Sequence, residues 1–237
     1  MARLPLVAIL RGVRPSEAVS ILRTLLAEGF ALIETPLNSP EPLDSIRAMR
    51  RTAPPEVLVG AGTVKRIEDV HAVADAGGDL IIMPHADASV IEAAKARGLI
   101  ALPGVATPTE IFAALAAGAD GLKAFPAEML APAVIRAWRA VVSPSVPILP
   151  VGGITPLNMK PYLEAGASGF GLGSALYRPG DAPEQVGANA AAFVAAWRVI
   201  RNGSVAKFLL RTRQGLFAAF DYVARIANCS ASDGFGL

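Results

Sequence analysis

The chain has 237 residues, of which 53% are hydrophobic and 18% charged, and its formal net charge is +2. This composition excludes an intrinsically disordered chain, and the length suits one complete α/β barrel. The small net charge gives no support for nucleic acid or a membrane surface as a partner, so any anion site must be local.

Eight short apolar runs recur along the chain, and each is followed by a longer segment with helical spacing. Runs that are apolar throughout are typical of strands buried on both faces of a parallel sheet. Eight alternations of strand and helix predict a (β/α)8 TIM barrel over residues 1–201, with an open doubly wound sheet as the alternative. The runs are Leu6–Leu10, Ala31–Glu34, Val57–Gly60, Leu80–Met83, Ile100–Leu102, Gly121–Phe125, Ile148–Val151 and Gly169–Leu172.

Residues with helix-terminating or helix-starting preferences lie between these runs. Pro15 starts the first predicted helix and Gly29 follows its end. Thr107-Pro108-Thr109-Glu110 resembles a capping box with proline at the first helical position. Thr155-Pro156 predicts the start of another helix, which stops at Gly166.

The composition shifts from Asn202 onward, where four of the nine phenylalanines lie. We expect residues 202–237 to form a C-terminal extension with a helix and then a disordered end from Cys229. The apolar face of this helix would cover the barrel or contact another subunit. That face is formed by Leu216, Phe217, Phe220, Val223, Ala224 and Ala227.

Lys123 lies within the sixth apolar run, where an unpaired ammonium is costly to bury. It is therefore either one half of a buried ion pair or an activated amine. Burial lowers the pKa of a lysine from its ordinary value of about 10.4, which increases the neutral fraction that can attack a carbonyl. We favour the amine nucleophile.

Glu34 ends the second run. Active sites of such barrels lie at the carboxyl ends of the strands, so we expect its side chain to lie at the same end of the barrel as Lys123. It either neutralises Lys123 or acts as a general acid and base. Both roles are compatible in the resting enzyme.

Glycine pairs follow the last two runs. Loops at these two positions commonly bind phosphate, because glycine lets backbone N–H groups approach an anion. Gly152-Gly153 follows the seventh run. The second pair is Gly171 and Gly173, in Gly171-Leu172-Gly173-Ser174 at the end of the eighth run, where the Ser174 hydroxyl adds a donor. We therefore prefer a phosphate site to plain tight turns.

Arg11 and Thr63 follow the first and third runs. Arg11 either forms an ion pair or binds a substrate carboxylate or phosphate with its guanidinium fork. Thr63 either donates to a carboxylate or caps the next helix, and the sequence does not separate these roles.

The content of cysteine and histidine limits metal and redox chemistry. A single cysteine, Cys229, excludes an intrachain disulfide and favours a reducing cytoplasm. The two histidines have no metal-ligand spacing, so we expect neither a metal nor another cofactor.

Six motifs in chain order are similar to those of the class I 2-dehydro-3-deoxy-phosphogluconate and -phosphogalactonate aldolases, over about Leu4 to Arg201. The resemblance implies a Schiff-base lysine at Lys123, an acid-base glutamate at Glu34, a small phosphorylated 2-oxo acid as substrate, and a homotrimer. It also implies substrate contacts from Arg11, Thr63, Lys123, Gly153, Gly173 and Ser174. The motifs are Ala8–Gly12, Glu34–Ser39, Gly60–Thr63, Leu122–Pro126, Val151–Ile154 and Gly171–Ser174.

Asn38 distinguishes two branches of this family, since the gluconate-type enzymes usually carry arginine four residues after the glutamate. Asparagine favours cleavage of 2-dehydro-3-deoxy-6-phospho-D-galactonate to pyruvate and D-glyceraldehyde 3-phosphate. The alternatives are a 2-dehydro-3-deoxy-6-phosphogluconate or 4-hydroxy-2-oxoglutarate aldolase, a phosphate-binding barrel isomerase or epimerase, and a non-catalytic sugar-phosphate-binding regulator.

Overall fold

The computed structural model describes residues 4–202 of the chain. The predicted helix and disordered end after Asn202, including Cys229, lie outside the described residues. The chain divides into two units, Met1–Val194 and Ala195–Leu237. In the second unit, residues 195–202 are helical, and the guanidinium carbon of Arg201 lies 5.8 Å from the ring centroid of Trp197.

Strands and helices alternate through the first unit. The described strands are β1 (Leu6–Ile9), β2 (Leu32–Pro36), β3 (Leu58–Gly62), β4 (Leu80–Ile82), β5 (Ile100–Leu102), β6 (Gly104–Val105), β7 (Leu122–Ala124), β8 (Ile148–Pro150) and β9 (Phe170–Leu172). The helices are α1 (Pro15–Ala27), α2 (Pro42–Thr52), α3 (Ile67–Asp75), α4 (Ala88–Ala96), α5 (Pro108–Ala116), α6 (Pro132–Arg139) and α7 (Met159–Glu164), and residues 183–194 are also helical.

The strands form a curled parallel sheet, which confirms the α/β class. Six strands pair in the order β5-β4-β3-β2-β1-β9, and three more pair as β6-β7-β8. The first strand therefore pairs with the last, with Ala8 opposite Leu172. A parallel bridge between Val151 and Gly171 joins the end of β8 to β9.

Apolar side chains fill the space inside the curled sheet, and the helices cover its outside. Val7, Leu80, Ile82 and Leu149 form a buried cluster contributed by three different strands, β1, β4 and β8. On the outside, α1 buries the face that carries Ala18, Ile21, Leu22 and Leu25. At about 25 cal/mol per Å² of apolar surface removed from water, this two-layer burial is the main source of stability.

Each predicted apolar run overlaps an observed strand, but two local predictions were wrong. Strand β6 was missed, because it has only two residues. Pro103, which has no N–H to pair, separates it from β5. The helix predicted to start at Thr155-Pro156 begins at Met159 instead. The side-chain oxygen of Asn158 accepts from the backbone N–H of Thr155 at 2.9 Å and holds a turn before the helix.

Arg139, the last residue of α6, connects the loops that enter β8 and β9. Its guanidinium donates to the backbone oxygens of Gly166, Ser143 and Val146 at 2.8, 3.0 and 2.9 Å, and to the hydroxyl of Ser168 at 3.0 Å. These contacts lie at the amino ends of the strands, opposite the end that carries the candidate site.

Within residues 4–202, no helix is both long enough and apolar enough to cross a membrane.

Candidate functional site

Lys123 is the central residue of β7, and its side chain is buried with 7% of its surface exposed. It lines a narrow apolar space inside the sheet with Val7, Ile82 and Leu149. Its Nζ atom lies 4.4 Å from the centroid of the Phe125 ring. Burial in these surroundings lowers the pKa of the Lys123 ammonium, although Glu34 acts in the opposite direction.

Glu34 lies in β2, with Ile9 of β1 beside it in register, and only 1% of its surface is exposed. Burial raises the pKa of its carboxyl from 4.5 to about 7, because the charged form loses its hydration. The charges of Lys123 and Arg11 lower this pKa and so offset part of the effect. One carboxyl oxygen, Oε2, has no hydrogen-bond partner among the described residues.

The two groups are electrostatically coupled, and their combined environment suits proton transfer near neutral pH. A lysine with a lowered pKa has a larger neutral fraction that can add to a carbonyl. A carboxyl with a pKa of about 7 can both accept and donate a proton at that pH. The unpartnered Oε2 atom of Glu34 leaves an acceptor position free for a substrate.

Gly62 makes room for the Glu34 carboxylate. It ends β3 opposite Pro36 of β2, and a Cβ atom at this position would lie 2.5 Å from Cδ and from both carboxyl oxygens of Glu34. No side chain larger than hydrogen fits there without moving the carboxylate. The motif around Gly62 was recognised in the sequence, but this role was not.

Arg11 and Asn38 are brought together by the structure. An Nη1 nitrogen of Arg11 donates to Oδ1 of Asn38 at 2.7 Å, and the Gly12 N–H donates to the Ser39 hydroxyl at 2.8 Å. These two hydrogen bonds join the end of β1 to the segment after β2. Asn38, on which the predicted choice of substrate rests, therefore contacts a predicted substrate-binding residue directly.

Gly152, Gly153 and Gly173 line an open cleft of about 490 Å³, called the glycine cleft below. Arg11, Gly153, Gly173 and Ser174 all line it, so four of the predicted site residues share one cavity. Gly152 and Gly153 adopt left-handed backbone angles, φ +115° and φ +60°, which glycine reaches without strain.

Thr63 lies outside that cleft, in a neighbouring one that it shares with Asn38 and Lys65. Its backbone is left-handed, with φ +59°. It does not cap α3, because the residue at the N-cap position is Arg66. The hydrogen bond between Arg11 and Asn38 links the two clefts, since each of these residues lines one of them.

Two further charged residues in the glycine cleft, Glu128 and Arg178, were missed by the sequence reasoning. Neither lies in a recognised motif, and both reach the cleft from turns that follow strands. In the part of the chain that the structure describes, no group of three histidine, cysteine or acidic side chains could hold a metal ion.

Comparisons with known proteins agree on one family. A family model described as KDPG and KHG aldolase matches residues 1–184. The chain is 45% identical over 199 residues to a "Probable 2-dehydro-3-deoxy-6-phosphogalactonate aldolase" of Rhizobium meliloti (strain 1021), covering 84% of this chain and 94% of that relative. It is 44% identical over 196 residues to the 2-dehydro-3-deoxy-6-phosphogalactonate aldolase of Escherichia coli (strain K12), covering 83% and 96%. A solved structure described as "Native KDPGal structure" is 42% identical with TM-score 0.83, covering 85% and 98% of the two chains.

Proposed function

This chain belongs to the KDPG and KHG aldolase family, and we propose that it cleaves 2-dehydro-3-deoxy-6-phospho-D-galactonate to pyruvate and D-glyceraldehyde 3-phosphate. The observation that carries this proposal is the buried Lys123 amine, which lines an apolar cavity and is electrostatically coupled to the buried Glu34 carboxyl. Aldol cleavage through a Schiff base needs both groups and no metal.

The reaction begins at Lys123. Its neutral amine adds to the C2 carbonyl of the substrate to give a carbinolamine. A proton from the Glu34 carboxyl lets the carbinolamine hydroxyl leave as water, which gives an iminium ion and a Glu34 carboxylate. The apolar surroundings of Nζ lower the pKa of Lys123 and so increase the neutral fraction of the amine, because an ammonium is poorly solvated there. The iminium then serves as the electron sink for the bond that breaks.

Glu34 moves the protons. The carboxylate takes the proton of the C4 hydroxyl, the C3–C4 bond breaks, and its electron pair forms an enamine with the iminium carbon. D-Glyceraldehyde 3-phosphate leaves, Glu34 returns the proton to C3, and water releases pyruvate from Lys123. A carboxyl with a pKa of about 7 is suited to both transfers.

The remaining predicted residues hold the substrate. Gly153, Gly173 and Ser174 line the cleft that would take the phosphate, and Arg11 and Thr63 would bind the carboxylate from two adjoining clefts. The hydrogen bond that Arg11 donates to Asn38 fixes the direction of the guanidinium.

The galactonate epimer is favoured by two observations. Both curated relatives described above carry galactonate in their names and share 44–45% identity with this chain. Asn38 stands where the gluconate-type enzymes usually have arginine, and here its side-chain oxygen accepts a hydrogen bond from Arg11. The gluconate and 4-hydroxy-2-oxoglutarate activities have less support.

The test compares kcat/KM on the two C4 epimers, with Lys123→Ala as the inactive control. We expect the galactonate epimer to be cleaved at least about tenfold better, a difference of ~1.4 kcal/mol in transition-state binding. Preference for the gluconate epimer would contradict the substrate assignment. Cleavage of neither epimer would contradict the reaction itself.

We also propose that the two sheets close into one eight-stranded barrel, in which β5 and β6 are one strand interrupted at Pro103. The proposal is supported by the Val151–Gly171 bridge at one seam. At the other, the Lys123 N–H donates to the Pro103 oxygen at 2.9 Å. A closed barrel would place the carboxyl ends of all its strands around one opening.

For the whole protein, we propose that residues 1–201 form the catalytic domain, that residues 202–237 are an accessory extension, and that three chains assemble in the cytoplasm. The homotrimer rests on the family resemblance. Light scattering should give three times the 24.5 kDa chain mass. A monomer mass would contradict it.

A further inference from the structure

Glu128 and Arg178 line the glycine cleft with opposite charges, and the reaction described above uses neither of them. One side chain comes from the turn after β7 and the other from the turn after β9. A phosphate that enters this cleft would meet both, so their effects on its binding should have opposite signs.

The turn that carries Glu128 is fixed against the end of β8. The Ala127 N–H donates to the backbone oxygen of Val151 at 2.9 Å, and the Ala127 oxygen accepts from the Tyr162 hydroxyl at 3.0 Å. Because both backbone groups of Ala127 are bonded, the next residue is held directly beside the Gly152-Gly153 pair.

The carboxylate of Glu128 rests against this glycine pair. A Cβ atom at Gly152 would lie 2.9 Å from Cδ of Glu128 and 3.1 Å from Oε1, and one at Gly153 would lie 3.0 Å from Cγ. The space left by the two missing side chains is therefore filled by an internal carboxylate. This is the space that an anion needs in order to approach the backbone of the pair.

Arg178 reaches the same cleft from the other side. Its Nε atom donates to the backbone oxygen of Ser174 at 3.1 Å, and its backbone N–H donates to Oδ2 of Asp181 at 2.8 Å. Within residues 4–202, its two terminal nitrogens make no hydrogen bond. Arg11, the other cation that lines the cleft, already donates from one terminal nitrogen to Asn38.

Building on the proposed function, we propose that Glu128 and Arg178 set the affinity of the cleft for the substrate's phosphate in opposite directions. Arg178 binds the dianion with its free terminal nitrogens. The Glu128 carboxylate lies against the glycine pair, and the phosphate has to displace it. Arg178 therefore favours phosphorylated substrates, and the Glu128 carboxylate competes with the phosphate for the same space.

The test measures the Kd of inorganic phosphate by ³¹P NMR titration at pH 8 and the KM of the phosphorylated substrate. Arg178→Gln should raise both by about tenfold, because a charge-assisted hydrogen bond to phosphate is lost. Glu128→Gln keeps the shape of the side chain and should lower both by about fivefold, because a like charge is removed. The double variant should fall between the single variants.

Two exposed residues provide matched controls for net charge, Arg136→Gln on α6 and Glu164→Gln at the end of α7. Both should leave phosphate binding unchanged. The rate of pyruvate methyl proton exchange, which involves no phosphate, should be the same in Glu128→Gln and the wild type. Equal loss of this exchange and of phosphate binding would show that Glu128 only supports the loop, and would overturn the inference.

The remaining outcomes separate this inference from the proposed function. Weaker phosphate binding by Glu128→Gln, unchanged binding by Arg178→Gln, or no phosphate binding by the wild type would overturn the inference. Borohydride trapping of pyruvate on Lys123 in the wild type tests the proposed function independently, since pyruvate carries no phosphate.

Discussion

At the scale of single residues, Glu34 is a buried carboxyl whose charge changes near neutral pH. Burial raises its pKa to about 7, and the charges of Lys123 and Arg11 keep it from rising further. A catalytic carboxyl with this pKa spends comparable time as base and as acid at pH 7, which one residue needs in order to accept a proton and later return it.

The first prediction concerns the pH dependence of proton transfer. Exchange of the pyruvate methyl protons with D₂O requires Glu34 as a carboxylate, so its rate should fall as pH drops below about 7. Pyruvate is the preferred probe because it has no phosphate that titrates in this range. Glu34→Gln should lose about a hundredfold or more in rate. An acid limb centred near the ordinary carboxyl pKa of about 4.3 would contradict the assignment.

A second prediction follows from linkage between protonation and stability. The folded-state pKa of Glu34 is raised, so its contribution to stability is fully present below pH 4.5 and is lost as pH rises through about 7. A shift of this size corresponds to about 3 kcal/mol in the free energy of unfolding. Comparison of Lys123→Met with the double variant Lys123→Met/Glu34→Gln isolates the contribution of Glu34, because neither variant has a lysine that titrates at position 123.

Urea denaturation of these two variants between pH 4.5 and 8 provides the measurement. Relative to the double variant, Lys123→Met should lose at least about 3 kcal/mol over this range, because Glu34 also lacks the attraction of Lys123 there. A difference that stays constant with pH would mean that Glu34 is not buried in the folded state.

At the scale of strands and helices, Gly62 shows how β3 controls a residue of β2. Gly62→Ala places a methyl group 2.5 Å from the Glu34 carboxyl and should displace it. We expect turnover to fall about a hundredfold, since a displacement of about 1 Å is enough for such a loss. Pyruvate should still be trapped on Lys123. Gly187→Ala, remote from the site, should retain normal turnover, and retention by Gly62→Ala would contradict the steric account.

Residues at the amino ends of the strands should support the stability of the fold, and residues at the carboxyl ends should support activity. Substitution of Arg139 tests this division. Arg139→Met removes hydrogen bonds to three backbone oxygens and to Ser168, and should destabilise the fold by about 2–3 kcal/mol. Its kcat/KM should not change, because these contacts lie at the amino ends of β8 and β9. Arg136→Met on the exposed face of the same helix is the control, with an expected effect within about 0.5 kcal/mol. A loss of kcat/KM without a loss of stability would contradict this division.

At the scale of the whole molecule, the sequence predicted the parallel α/β class and the strands that carry Lys123 and Glu34. It succeeded because buried strands are uniformly apolar, so a charge within one of them is conspicuous. The interruption at Pro103 was missed because the flanking segments β5 and β6 are each too short to show a period of their own.

Contacts between segments that are distant in the chain could not be predicted from sequence patterns. The placement of Glu128 against Gly152 depends on how the turn after β7 docks on β8, through Ala127 and Tyr162. The pairing of Arg11 with Asn38 joins residues 27 positions apart. Neither contact leaves a local signature, whereas the capping box at Thr107 depends only on nearby residues and was predicted correctly.

The most direct test of the account is borohydride reduction in the presence of pyruvate, followed by peptide mass spectrometry. We predict a stable pyruvate adduct on Lys123 and none on Lys95, whose ammonium forms an ion pair with Asp120 at 2.6 Å. Lys123→Arg keeps the positive charge but cannot form the adduct and should remain unlabelled. Absence of the adduct, or labelling of another lysine in its place, would contradict the Schiff-base mechanism and leave an isomerase or a binding protein to be considered.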